Sequence, residues 1–442
     1  MLSKKKKSSM ELFQMRLTNL CSHDHPLYNL ADQIDWSTFE SAFGSTYCPD
    51  NGRAAKPIRL LVGLHYLKHA FDESDESVVA RWVENPYWQY FCGMEYFSHE
   101  LPCHPTLLVK WRHRVGAEKL EKLLAQTVDC ARREKLIVKK DLAFVNVDTT
   151  VQEKNIAFPT DARLYQKGRL LLVKLAKKRG IKLHQTFEKE AKETLIKQHR
   201  FCATRKFKKA KKMTSKLKTF LGRVIRDIER KADPMDREMR EALALANRLL
   251  GQRRNSKNKI YSLHEPQVQC IAKGKAHKKY EFGNKVAVVT TSETNWIVGV
   301  QGFGGNPYDG HTLEESIEAM GRLTGQTPVS AYCDKGYRGK KRIGETAVHV
   351  AGYGRRDKTC LDRFLTKRRS SIEPTIGHLK SDNRLGRNYL AGEIGDRINP
   401  ILAAAGYNMR KLLKAFFCPI LVRLRETIFG WNPVKITDGS EA

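Results

Sequence analysis

The 442-residue chain reads as an α/β protein, with a helical region ahead of a mixed sheet and a basic helical insertion inside it. Three observations predict this. Short apolar runs at 142–147, 285–291, 296–301, 328–333 and 346–350 have the length of strands. Helical patterning fills residues 13–136. Between 161 and 279 stand 35 Lys and Arg against 11 Asp and Glu, an excess of 24 within a net charge of +32 for the chain.

Taken in order, residues 1–12 read as a basic flexible arm and 13–136 as a helical DNA-binding domain. Pro57 suits the first turn of a helix over 56–71, whose Ile58, Leu61, Leu64 and Leu67 follow the helical period. A helix over 75–84 follows and is closed by Pro86. A third, over 105–116, sets Lys110, Arg112, His113 and Arg114 beside a stripe of Leu107, Leu108, Trp111 and Val115. Short helices ending on a basic one fit a helix-turn-helix-like reader, and a plain helical bundle fits them equally.

The first strand, in 137–160, leads into the insertion, 161–259. Thr160 and Asp161 cap a helix running to Lys178, with Gly180 as its stop. Met213, Leu217, Phe220, Leu221, Val224, Ile225 and Ile228 form the apolar stripe of a second helix. Asp233 and Pro234 read as the N-cap and first residue of a third, which Gly251 ends. The insertion's densest charge, over 205–218, includes Lys208, Lys209, Lys211 and Lys212. So one-sided an excess repels itself unless an anion faces it, and phosphate backbone is the natural counter-surface. The remaining strands, with a helix over 312–323 between the third and fourth, complete a mixed-sheet domain over 137–160 and 260–415, followed by a tail over 416–442.

Other classes fall away. No apolar run approaches the roughly 18 residues of a membrane span, and the N-terminus has no apolar stretch behind its lysines. The ten cysteines contain no CxxC pair, and neither Cys103-His104 nor the Cys21/His23/His25 group has a matching second half for a zinc site. The expectation is a soluble intracellular protein, cytoplasmic and on the nucleoid when bound to DNA.

Two carboxylates stand directly after strands: Asp148 in Asn146-Val-Asp-Thr-Thr150 and Asp334 in Asp334-Lys-Gly-Tyr337. Ligand sites of α/β sheets gather beyond the carboxyl ends of strands. If the first and fourth strands are neighbours, the two acids converge and favour a hard divalent cation, Mg2+ or Mn2+. Each taken alone is also an ordinary cap or turn residue. Glu373 adds a third acid, with Arg369 four residues before it and Lys380 seven after, one helical face at that spacing. Pro374 requires the helix to start near Ser370 or Ser371, or to kink. An exposed Arg369–Glu373 ion pair is the plain alternative.

Together with Phe158-Pro-Thr-Asp161, Tyr280-Glu-Phe-Gly283 and Asn306-Pro-Tyr-Asp-Gly-His-Thr-Leu313, these motifs resemble the DDE transposases of bacterial insertion sequences, in the insertion-sequence-five-like group. The resemblance runs from about Leu60 to Ala415. It implies a ribonuclease-H-like catalytic domain and the catalytic, metal-holding triad Asp148, Asp334 and Glu373, with Arg369 and Lys380 gripping phosphate. The wider superfamily has a tyrosine where this chain has Thr366. Asp161 and Asp309 are read as a cap and a turn residue.

The resemblance further implies two Mg2+ or Mn2+ ions, no covalent protein–DNA intermediate, and cleavage followed by strand transfer. The partners it implies are double-stranded DNA (the element's terminal inverted repeats and the target), with self-association on that DNA. Two other readings share the residues: a metal-dependent nuclease without strand transfer, and a DNA-binding protein without catalysis.

Overall fold

The computed structural model describes residues 15–48, 54–253, 255–272, 278–352 and 359–429, and side chains up to 417. The expected basic arm, 1–12, and most of the expected tail lie outside these residues.

Seven helices come first: α1 (Leu17–Leu20), α2 (Pro26–Gln33), α3 (Trp36–Gly44), α4 (Ile58–Ala70), α5 (Asp75–Glu84), α6 (Pro86–Phe91) and α7 (Thr106–Arg133). Local chemistry sets their ends. The Ser74 hydroxyl accepts from the Ser77 amide while the Ser77 hydroxyl accepts from the Ser74 amide, a reciprocal cap that starts α5. Asn85 caps α6, with Pro86 in its first turn. The short helix expected over 105–116 is the first part of α7, which bends at Gly116 with φ 77° and ψ 168°, a backbone region open to glycine.

β1 (Phe144–Lys154) runs well past the expected end at 147, so Asp148 stands inside the strand. Beyond the apolar run, Thr149, Thr150, Val151 and Gln152 are buried too, and their polarity hid the continuation. The chain then forms α8 (Asp161–Lys178), α9 (Glu188–Ala203), α10 (Phe207–Glu229), α11 (Arg237–Gly251), β2 (Gln269–Ala272), β3 (Tyr280–Thr291) and β4 (Ile297–Phe303). α12 (Asp309–Thr324), β5 (Ser330–Cys333), β6 (Arg342–Ile343), β7 (Thr346–Val350), α13 (Cys360–Arg368), α14 (Ile372–Asp382), β8 (Arg387–Asn388) and α15 (Gly392–Phe429) complete it. α15 passes through residue 416, where the tail was expected to begin.

The described residues divide into two compact units, 1–152 with 285–303 and 307–442, and 153–284 with 304–306. In the first, neighbouring strands run β4, β3, β1, β5, β7, β6, with β8 also on β1. β3 and β4 are antiparallel, whereas β1, β5 and β7 are parallel. The sheet is therefore mixed, as the strand order predicts. Its centre is dry: Val145, Val147, Val286, Val288, Val298 and Ala331 are wholly buried, each valine contributing roughly 1.5–3 kcal/mol on burial.

Apart from a small cluster of Leu17, Cys21 and Tyr28, the described helices before residue 137 share their core with the sheet. Leu64, Leu67, Trp82 and Trp111 belong to one apolar cluster with Val145, Val288, Leu402 and Met409. α15 supplies the junction, packing on α4, α7 and β4. Gly406 allows its approach, because a Cβ there would lie 2.6 Å from the His69 backbone. Asn408 donates to Thr127 of α7 and to the Ile297 carbonyl of β4.

The second unit has its own cluster, built from Leu172, Ala176, Leu217, Leu221, Val224, Ile228, Met239 and Leu249. The stripe read over 213–228 is the buried face of α10, and Thr160 caps α8 as expected. α11 begins later than expected: Asp236 caps it by accepting from the Met239 amide, while Asp233 closes the preceding turn on Met235. α9 had no sequence reading.

Candidate active site

The register of β1 on β5 pairs Phe144 with Ser330, Val145 with Ala331 and Asn146 with Tyr332. Two residues beyond that last pair stand Asp148, inside β1, and Asp334, directly after the end of β5. The adjacency of the two strands, on which convergence of the acids depends, is therefore found. Asp334 caps a short 3-10 turn over 335–337 by accepting from the Gly336 amide at 2.8 Å. Cys333, the wholly buried last residue of β5, has its thiol pushed up by burial and then by Asp334 and Asp148, while Arg369 opposes them.

Asp309 belongs here as well. It is the first residue of α12, and its Oδ1 accepts from Thr149 Oγ1 at 2.6 Å and from Lys285 Nζ at 2.9 Å. The Lys285 side chain is 9% exposed and also donates to the Pro307 carbonyl. A Cβ on Gly336 would lie 2.9 Å from both Asp309 Oδ2 and Asp334 Oδ1, so two carboxylates crowd one point that only glycine leaves open. Asp309 is thus not the plain turn residue that the sequence suggests, but the first residue of α12 paired with Lys285 and Thr149. Spacing in the sequence gave no signal, because the groups it meets lie 24 and 160 residues away.

Glu373 is the second residue of α14, and Pro374 is the third, where the amide that proline lacks has no helical acceptor. A 3-10 turn over 369–371 precedes the helix. Arg369, 17% exposed, donates to Glu373 at 3.2 Å, and the Glu373 side chain is 62% exposed. Lys380 lies two turns on, half-buried. Asn146 ties this segment to β1: its amide donates to the Arg368 carbonyl and to Ser371 Oγ, and its carbonyl oxygen accepts from Ser292. It is wholly buried, and a lone amide in the run Leu142–Val147 was the available signal. Thr366 turns its hydroxyl back onto the Asp362 carbonyl of its own helix, away from any such role.

The donor set is oxygen from carboxylates, which suits a hard divalent cation. Among the described residues no group of three or more His, Cys, Asp or Glu side chains is closed around one point, and Glu373 is paired with Arg369. The chemistry of the residues fits such an ion, with Glu373 yet to join them.

The basic candidates divide. Lys208, Lys209, Lys211 and Lys212 of α10 are all exposed, opposite its buried stripe. Lys110 and Arg114 of α7 are exposed too. Arg112 is 3% exposed and donates to both Asp75 oxygens, at 2.8 and 2.6 Å. It is a core residue, and its expected DNA contact is withdrawn. Asp161 is an exposed first-turn residue beside the actual cap, Thr160.

Two family models match: a Transposase domain (DUF772) over residues 15–114 and a Transposase DDE domain over 251–409. Over 197 residues the chain is 48% identical to "Uncharacterized protein ORF8 in nfe locus" of Rhizobium meliloti, covering 45% of this chain and 95% of that relative. No solved structure matches.

Proposed function

Because the chain belongs to the DDE transposases of insertion sequences, enzymes of polynucleotidyl transfer on DNA, we propose that it cuts the ends of its element in a metal-dependent reaction and joins them to a target. The observation that carries this reading is the parallel pairing of β1, which holds Asp148, with β5, which Asp334 directly follows. The order β4, β3, β1, β5, β7 supports a ribonuclease-H-like core. Asp148, Asp334 and Glu373 would hold two divalent ions, Mg2+ or Mn2+. When bound, such ions supply activation of the attacking oxygen and stabilisation of the leaving one.

The protein's own groups carry the rest. Glu373, whose exposed side chain is held by Arg369, would leave it to join the two aspartates. That release frees the Arg369 guanidinium for a phosphate oxygen, an exchange of one anionic partner for another. Lys380, on the same face of α14, would take a neighbouring phosphate. Asn146 and the Lys285–Asp309 pair fix the strands and turns that present the acids. The exposed lysines of α10, with Lys110 and Arg114, would bind terminal repeats and flanking DNA, on which copies of the protein assemble.

Asp148→Asn is the test. With Mg2+ and DNA carrying the element's ends, cleavage should fall by at least about a thousandfold while affinity stays within about threefold. Cleavage that survives the change overturns the triad. Products joined to a second DNA separate a transposase from a nuclease that only cuts.

A further inference from the structure

A cavity of about 1160 Å3 opens in the helical region, and none of the residues lining it belongs to the carboxylate site. Its apolar wall includes Tyr47, Leu61, Leu107 and Trp111. Three cations, Lys56, Lys110 and Arg114, also line it, and among its described lining residues there is no Asp or Glu. Leu107, Lys110, Trp111 and Arg114 recur at helical spacing along the first turns of α7, just before its bend at Gly116. Arg114 lies over the Tyr47 ring, 5.0 Å from its centre.

Two polar atoms here are poorly satisfied. Tyr47 OH and Trp111 Nε1, on residues 9% and 1% exposed, make no well-formed hydrogen bond to a described residue, although they face each other and the hydroxyl also meets Arg114. A buried donor without a well-formed bond in the free protein is one that a ligand can satisfy. Concave and apolar, with polar groups inside and cations around them, the cavity suits a planar polar ring carrying a phosphate.

We propose that this cavity takes one unstacked nucleotide of a DNA strand, its base against Tyr47 and Trp111 and its phosphates on Lys56, Lys110 and Arg114. The inference rests on the reading of the chain as an enzyme that acts on DNA. Capture of a base outside the helix would mark distorted duplex, and unstacked bases are cheapest to extract where pairing is already broken.

The experiment compares a perfect 30-bp duplex with one carrying a single extrahelical 2-aminopurine nucleotide, both binding the Asp148→Asn protein in EDTA. The bulged duplex should bind about tenfold tighter, the scale of one base stacked on aromatic side chains, and its 2-aminopurine emission should change on binding. Arg114→Gln, an exposed position whose change leaves the core intact, and Leu107→Asp should each bring the two duplexes to equal affinity. Equal affinities in the parent protein, or a preference that survives both substitutions, overturn the proposal. So does free deoxyadenosine monophosphate binding as tightly as the bulged duplex, which would make this a mononucleotide site. Displacement of bulged DNA by a poly-glutamate peptide as effectively as by DNA would assign the surface to an acidic protein and also overturn it. Without metal no cleavage occurs, so failure of the metal triad and failure of this pocket are read separately.

Discussion

Asp75 accepts from two buried cations at once, Arg112 through both oxygens and Lys68 at 2.8 Å. Burial opposes its ionisation, yet Arg112 and Lys68 hold its carboxyl below the usual range. Arg112 also meets His65 Nε2 at 3.2 Å, and His65 Nδ1 meets the Leu61 carbonyl at 2.7 Å. Both contacts are satisfied by one neutral tautomer, with Nε2 accepting and Nδ1–H donating. Burial, and after it the Arg112 charge, push the imidazole down to about 3. The unfolded chain therefore binds a proton at His65 near pH 6.5 that the folded one refuses, and stability falls as pH drops between those values. From pH 7 to pH 5 this residue should cost about 2 kcal/mol. Urea denaturation at both pH values checks it, and His65→Gln should remove that much of the difference. Arg112 was legible after all: Leu108, Trp111, Arg112 and Val115 follow the buried helical period, and charge alone had suggested the surface.

Residue scale also governs the Lys285–Asp309 pair. Lys285→Met leaves Asp309 without its buried cation, and Asp309→Asn weakens the hold on Lys285 and Thr149. Residues that orient metal ligands typically change metal affinity or activity by about 10–100-fold. Each variant should therefore weaken Mn2+ binding, followed by electron paramagnetic resonance, and slow cleavage by a factor in that range. Mn2+ titrations that match the parent protein would remove both residues from the site.

At the scale of elements, α10 divides its labour by face. Leu217, Leu221, Val224 and Ile228 fill the core of their unit, while Lys208, Lys209, Lys211 and Lys212 stand in solvent. Each lysine that neutralises a phosphate contributes about 0.9 to the slope of log affinity against log salt. Changing all four to Ala should lower that slope by up to about 4, measured by anisotropy between 50 and 300 mM salt. An unchanged slope would show that these lysines do not contact phosphate. Periodicity disclosed α10 because its stripe is apolar over three turns. It did not disclose α9, whose only buried residues are Ala191, Thr194 and Gln198.

Over the whole molecule, the mixed sheet was readable because apolar runs mark its central strands, and Asp148 and Asp334 were readable because each directly follows such a run, although β1 continues beyond its own. The partition of the chain was not. The expected helical domain over 13–136 and the sheet domain expected from 137 onward share one apolar cluster among their described residues. Local patterning reports which face is apolar and not what covers it; here the cover for α4 and α7 is α15, which begins at residue 392. A fragment spanning 15–136 should accordingly lack a cooperative urea transition and bind anilinonaphthalene sulfonate, whereas the full chain unfolds cooperatively. A sharp transition in the fragment would show that these helices need no late partner.

That dependence orders events during synthesis. The helices carrying Lys110 and Arg114 leave the ribosome early, but Gly406 must pass before α15 can settle against His69. Until then the nascent chain has basic helices without their covering layer. A message broken anywhere before α15 would yield a chain that cannot complete this core, so competence to act on DNA arrives only with the last helix.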